Sequence, residues 1–169
     1  MEFLKNHQVV AAMTETNDPR CNITGGQVGD WICMKGYNRL AFLIVIDAWV
    51  AGDSAVTLQQ STDIANSLGD AKALTYAENW RCAAYSLEAA PVWVKTAAAL
   101  TIANANTPDN EAYLIEIEAD MLDADNKFDC VKIVFGTPGA QNNYLNCIAI
   151  LSDPRYGGLE SQLVDPVAN

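Results

Sequence analysis

The chain has 169 residues, a mass of 18.3 kDa and a formal net charge of −11, from 10 Lys+Arg against 21 Asp+Glu. Half the residues are hydrophobic and 18% are charged, which argues against a mainly disordered chain and fits one domain with a real core. The acidic balance argues against a protein that grips nucleic acid, because phosphate contact needs a positive surface.

The opening MEFLKNHQVV has no apolar run of signal-peptide length, so synthesis in a cytosol is the expectation. Residues 1–26 combine a short apolar stretch, Val9 to Met13, with the polar run TETNDPRCN that closes at Gly25-Gly26. They read as an N-terminal arm. From Val28 the composition changes, and two apolar stretches flank the turn-prone Gly36-Tyr37-Asn38-Arg39. Leu40, Phe42, Ile44 and Ile46 alternate with Ala41, Leu43 and Val45, so a strand buried on both faces is predicted. The longest apolar run, Leu40 to Ile46, is seven residues, against the ~20 that a membrane helix needs.

AVTLQQSTD alternates as a half-buried strand, and IANSLGDAKA reads as a loop or one short helix. KALTYAENWRCAAY holds two further strands, and VWVKTAAALTIANA a strand pair or one long strand. AYLIEIEAD is the clearest strand, with Tyr113, Ile115 and Ile117 on one face. The tight acidic turn LDADNK leads into the strand FDCVKIVFG, and NYLNCIAILSD forms the last strand. Short strands broken by Gly, Pro, Asn and Asp clusters indicate an all-β, antiparallel β-sandwich, jelly-roll-like, over residues 27–156. Residues 157–169 read as a short C-terminal tail.

Little in the chain signals chemistry. A nucleophile activated by imidazole needs a histidine beside it, and the only one, His7, lies in the arm. No GxSxG, P-loop or GxGxxG stands in a strand-turn-helix setting. The five cysteines (Cys21, Cys33, Cys82, Cys130, Cys147) form no CxxC pair, and those in apolar runs read as small buried hydrophobes. Asp120, Asp123, Asp125 and Asp129 cluster, but a calcium loop starting at Asp123 would have Phe128 and Val134 where Gly and Glu belong. The cluster reads as a solvated turn whose Asp side chains cap backbone N–H groups. Trp31 and Trp49 border the doubly apolar strand, which favours burial. No catalytic, cofactor-binding or metal-binding residue is assigned, and the chain is expected not to be an enzyme. From Glu111 onward there are ten acidic and three basic residues, a solvated acidic face that like charge keeps away from packed DNA.

Three segments carry a resemblance. They are Leu58-Gln59-Gln60 with the loop Gly69 to Ala73, the run Tyr113 to Lys132 through the acidic turn, and the closing Pro154-Arg155-Tyr156. Together they resemble small virion proteins of tailed bacteriophages, among them capsid decoration, or cement, proteins. The resemblance implies a non-enzymatic clamp on the outer capsid surface, commonly a homotrimer, whose partner is the major capsid protein. It implies neither a nucleic-acid nor a membrane partner, and it brings no catalytic residue. A rigid sandwich with extended ends can reach adjacent subunits by strand addition. The apolar residues of the arm (Phe3, Val9, Val10) and of the tail (Tyr156, Leu159, Leu163) are the candidate contacts. The alternatives are a connector or tail component of the virion, or a carbohydrate-binding sandwich that uses exposed Trp and the acidic turn.

Overall fold

The computed structural model describes residues 6–13, 21–76, 78–82, 92–97, 99–104, 111–139 and 141–155. Thirteen strands follow one another among them: β1 (His7–Ala11), β2 (Cys21–Asn22), β3 (Gln27–Val28), β4 (Ile32–Cys33), β5 (Tyr37–Ala48), β6 (Ser54–Ser61), β7 (Lys72–Leu74), β8 (Glu78–Cys82), β9 (Trp93–Ala97), β10 (Thr101–Ile102), β11 (Ala112–Glu118), β12 (Cys130–Phe135) and β13 (Tyr144–Pro154). They form two antiparallel sheets packed as a sandwich. The larger runs β1-β13-β5-β11-β8-β9, with β2 on the same edge of β13 beyond β1. The smaller is a central β6-β12 pair whose edges are each made of two short pieces, β10 and β7 on one side, β3 and β4 on the other. Broken edges of this kind offer little continuous backbone to a stray strand.

Period-two patterning sets which face is buried. From the large sheet, Leu40, Phe42, Ile44 and Ile46 of β5 point inward with Ile115 and Ile117 of β11 and Leu145, Cys147, Ala149 and Leu151 of β13. They meet Val56, Leu58, Val131, Ile133 and Phe135 of the small sheet in one core. Each such side chain contributes about 1.5–3 kcal/mol by leaving water. The reverse face of β5 departs from expectation: Ala41, Leu43 and Val45 are half-buried, not buried. Only one face of this sheet meets the small sheet, so continuous apolarity there does not mean double burial.

Within residues 1–26, His7–Ala11 and Cys21–Asn22 are strands of the large sheet, and Cys21 and Ile23 are core residues. The described part of that segment is built into the sandwich. Just after it, Gly29 makes a corner between the sheets. Its N–H donates to the Ile133 carbonyl at 2.8 Å, while the next N–H, of Asp30, donates to Ala12 at 2.9 Å. A Cβ on Gly29 would sit 2.7 Å from the Ala12 carbonyl oxygen, so a side chain has no room there.

The segment after β6 is a turn-rich loop without a helix. The Asp63 carboxylate accepts the N–H groups of Ala65 (2.8 Å) and Ser67 (3.2 Å), and the Ser61 hydroxyl donates to Asp70 at 2.9 Å. Such local bonds satisfy the backbone without regular structure. VWVKTAAALTIANA supplies two strands, but they part company: β9 pairs with β8 in the large sheet and β10 with β6 in the small one. Trp31 and Trp49 are buried, as their flanking positions suggest.

Candidate interaction surface

The outer face of the large sheet carries an apolar row set by strand register. Ala11 of β1 lies opposite Ile148 of β13, Ile148 opposite Leu43 of β5, Leu43 opposite Leu114 of β11, and Leu114 opposite Trp80 of β8. The row ends at Lys95 of β9, whose ammonium pairs with Glu78 and lies 5.9 Å from the Trp80 ring centroid. A second row, Val9, Ile150 and Ala41, runs beside it and ends at the exposed Glu116. Most members are half-buried, and Val9 is 48% exposed. A rim ion pair, Arg39 to Glu118 at 3.4 Å, borders the patch.

The row leads to an exposed edge. Val92, Trp93 and Val94, at and beside the start of β9, are 65%, 41% and 57% exposed, and β9 is the last described strand on that side. Trp93 and Trp80 share the outer face on neighbouring strands. An apolar sheet face that ends in an open apolar edge suits contact with protein, through side chains on the face and backbone at the edge.

Of the candidate contacts read from the sequence, Val9 lies on this surface. Val10 points the other way and packs against the core. Phe3, Tyr156, Leu159 and Leu163 fall outside the described residues. The sequence reading offers Trp80 and Trp93 only as rings for the carbohydrate-binding alternative and overlooks Leu43, Leu114 and Ile148, because these become neighbours only through a register spanning the whole chain.

Three polar clusters lie elsewhere. At the acidic turn, two single-turn 3₁₀ segments, Ala119–Met121 and Ala124–Asn126, carry Asp120, Asp123 and Asp125. The Asp123 carboxylate does not cap its helical turn. It pairs with Lys72 and accepts the Asn126 side-chain amide at 2.8 Å, and the lysine, then the amide, hold it below the usual carboxylate range. Lys72 in turn sits 4.2 Å from the Phe128 ring centroid. Asp123 therefore fastens the β7 entry to the turn that leads into β12.

The second cluster is buried. The Glu111 side chain is 5% exposed, accepts the Arg81 guanidinium through both oxygens and takes the Tyr113 hydroxyl. Burial, then the Glu111 carboxylate, pushes the Tyr113 phenol well above its ordinary value. The third cluster joins two cysteines that the sequence separates by almost a hundred positions. Cys33 of β4 pairs directly with Cys130 of β12, and both side chains face away from the core. The Cys130 sulfur lies 3.2 Å from a carboxylate oxygen of Asp129. Cys130 is buried, as expected of a small hydrophobe, but Cys33 is half-buried.

No protein-family model matches the chain, and no curated protein matches it. Among solved structures, the crystal structure of the SPBc2 prophage-derived protein YomS aligns at 8% identity, over 86% of this chain and 92% of that one, with a TM-score of 0.45. The structure of the infectious bursal disease virus Gx strain aligns at 9% identity, over 96% of this chain but 45% of that one, with a TM-score of 0.23. Among the described residues, no helix is long and apolar enough to cross a membrane.

Proposed function

We propose that the chain is a non-enzymatic structural protein of a tailed-bacteriophage virion, a cement protein that binds the major capsid protein on the outer shell as a homotrimer. The carrying observation is the apolar row Ala11–Ile148–Leu43–Leu114–Trp80 with its open edge at β9, in a chain of net charge −11. Acidity keeps such a protein off packed DNA, and the row gives it an adhesive face that needs no chemistry. The segments that resemble small virion proteins of tailed bacteriophages point the same way. An interface of ordinary size, roughly 1,600 Å², holds two proteins together, and many copies on a lattice multiply the effect.

The mass in solution tests the assembly. The protein is expected to sediment at three times 18.3 kDa, and Leu43→Lys, which places a charge in the middle of the row, is expected to yield a folded monomer. Rings of six or twelve copies would favour a connector or tail component instead. A wild-type monomer would remove the trimer from the proposal.

One observation favours a second reading. Trp93 is exposed beside the half-buried Trp80, a pair of rings of the sort that stack on sugars. Glycan-array signal lost in Trp93→Ala, with self-association intact, would support a carbohydrate-binding sandwich over a cement protein.

A further inference from the structure

The Cys33–Cys130 pair has a geometry that burial alone does not call for. The two sulfurs and a carboxylate oxygen of Asp129 all lie within 4.8 Å of one another. Tetrahedral zinc with bonds of about 2.3 Å to sulfur and 2.0–2.2 Å to oxygen holds its donors ~3.5–3.8 Å apart, so a shift of each donor by about an ångström or less seats an ion among them. We propose that Cys33, Cys130 and Asp129 bind one thiolate-seeking divalent cation of the zinc class, with solvent as the fourth ligand.

Four features support the site. First, two thiols with one carboxylate make a donor set that prefers zinc-type ions over calcium or magnesium, which take oxygen alone. Second, the two thiols already bond to one another across the β4–β12 ladder, so the sulfur donors are gathered before an ion arrives. The proton shared by the pair is the one that a cation displaces. Third, the Lys35 backbone N–H bonds the Cys33 sulfur and so holds it in place. Two thiolates and a carboxylate around a divalent ion leave one net negative charge, which Lys35 offsets. Fourth, Asp129 borders an open cleft of about 450 Å³, so the carboxylate end of the donor set lies beside solvent.

The backbone around the donors is firm. Cys33 enters a tight turn in which the Tyr37 N–H donates to the Met34 carbonyl at 2.9 Å. The Met34 N–H donates to the Asp129 carbonyl at 2.7 Å, and the Asp129 N–H to Ser61 at 3.2 Å. The β4–β12 ladder is only two residues long, so a bound ion would staple a short edge of the small sheet.

Cobalt(II) reads out the site directly. Added to the full chain reduced with a phosphine, one equivalent of Co²⁺ gives thiolate-to-cobalt charge-transfer absorption and tetrahedral d–d bands, and Zn²⁺ bleaches both. Cys33→Ser weakens binding by more than ~100-fold and Asp129→Asn by a smaller factor, while Cys82→Ser, at a buried cysteine elsewhere, changes nothing. A second measurement needs no variant: Zn²⁺ protects Cys33 of the wild-type chain from alkylation, read peptide by peptide by mass spectrometry. Absent charge-transfer absorption, or unchanged alkylation of Cys33 with Zn²⁺, overturns the site. Loss of two hydrogens from the Cys33–Cys130 pair in air, without cobalt binding, would make it a disulfide-forming pair and equally overturn the proposal.

Discussion

Replacing Gly52 by alanine is expected to cost about 4 kcal/mol or to prevent folding altogether. Gly52 has φ +81°, and a Cβ built there would stand 1.5 Å from the carbonyl oxygen of Pro138 and 2.6 Å from its carbon. The obstacle is backbone, so no rotamer change relieves it. Neither loop is free to retreat. The Trp49 indole N–H donates to the Gly52 carbonyl at 2.8 Å, and Trp49 is buried. Beside it the fully buried Asn143 side chain accepts the Val50 N–H at 2.7 Å and donates to the Ala51 carbonyl at 2.8 Å. The β5–β6 connection is thus locked against the β12–β13 connection. Gly69→Ala is the control, because Gly69 has φ +64° but open space around it, and only the conformational cost of about 1 kcal/mol applies. Urea denaturation of the two variants measures the difference. Equal midpoints would mean that the approach to Pro138 is not tight.

The second large effect is expected at Arg81. Arg81→Met should destabilise the fold by about 3 kcal/mol, at the low end for broken buried pairs because the arginine side chain is 33% exposed. The substitution leaves the 5%-exposed Glu111 carboxylate with the Tyr113 hydroxyl as its remaining side-chain donor in this triad. Adding Glu111→Gln to Arg81→Met should recover part of the loss, since the charge that lacked its partner is gone. A double-mutant cycle by thermal or urea unfolding checks this. Simple additivity of the two losses would show that the groups act independently.

The sandwich was legible because its signal is local. Alternation in AYLIEIEAD and FDCVKIVFG assigns β11 and β12 and groups Ile115 with Ile117 on one face of β11 without reference to any other segment. Burial of β5 on both faces was misjudged, because composition shows that a face is apolar but not what lies opposite it. The surface row and the cysteine pair were invisible for a related reason. Leu43, Leu114 and Ile148 align only when β5 pairs with β11 on one side and β13 on the other. Cys33 meets Cys130 only through a two-residue ladder. Spacing rules for metal ligands detect pairs on one turn or loop, and a pair made across strands leaves no such trace. The acidic turn was located correctly, but its carboxylate at Asp123 serves Lys72, a residue fifty positions away, and not the local backbone.

Adhesion between proteins is tested most directly with capsid shells assembled without this chain. Wild-type protein should co-sediment with such shells at saturating, lattice-defined stoichiometry and raise the temperature at which they rupture. Leu43→Lys, folded by circular dichroism, should stay in the supernatant. Wild-type protein that remains unbound, or that binds and leaves the rupture temperature unchanged, would contradict it.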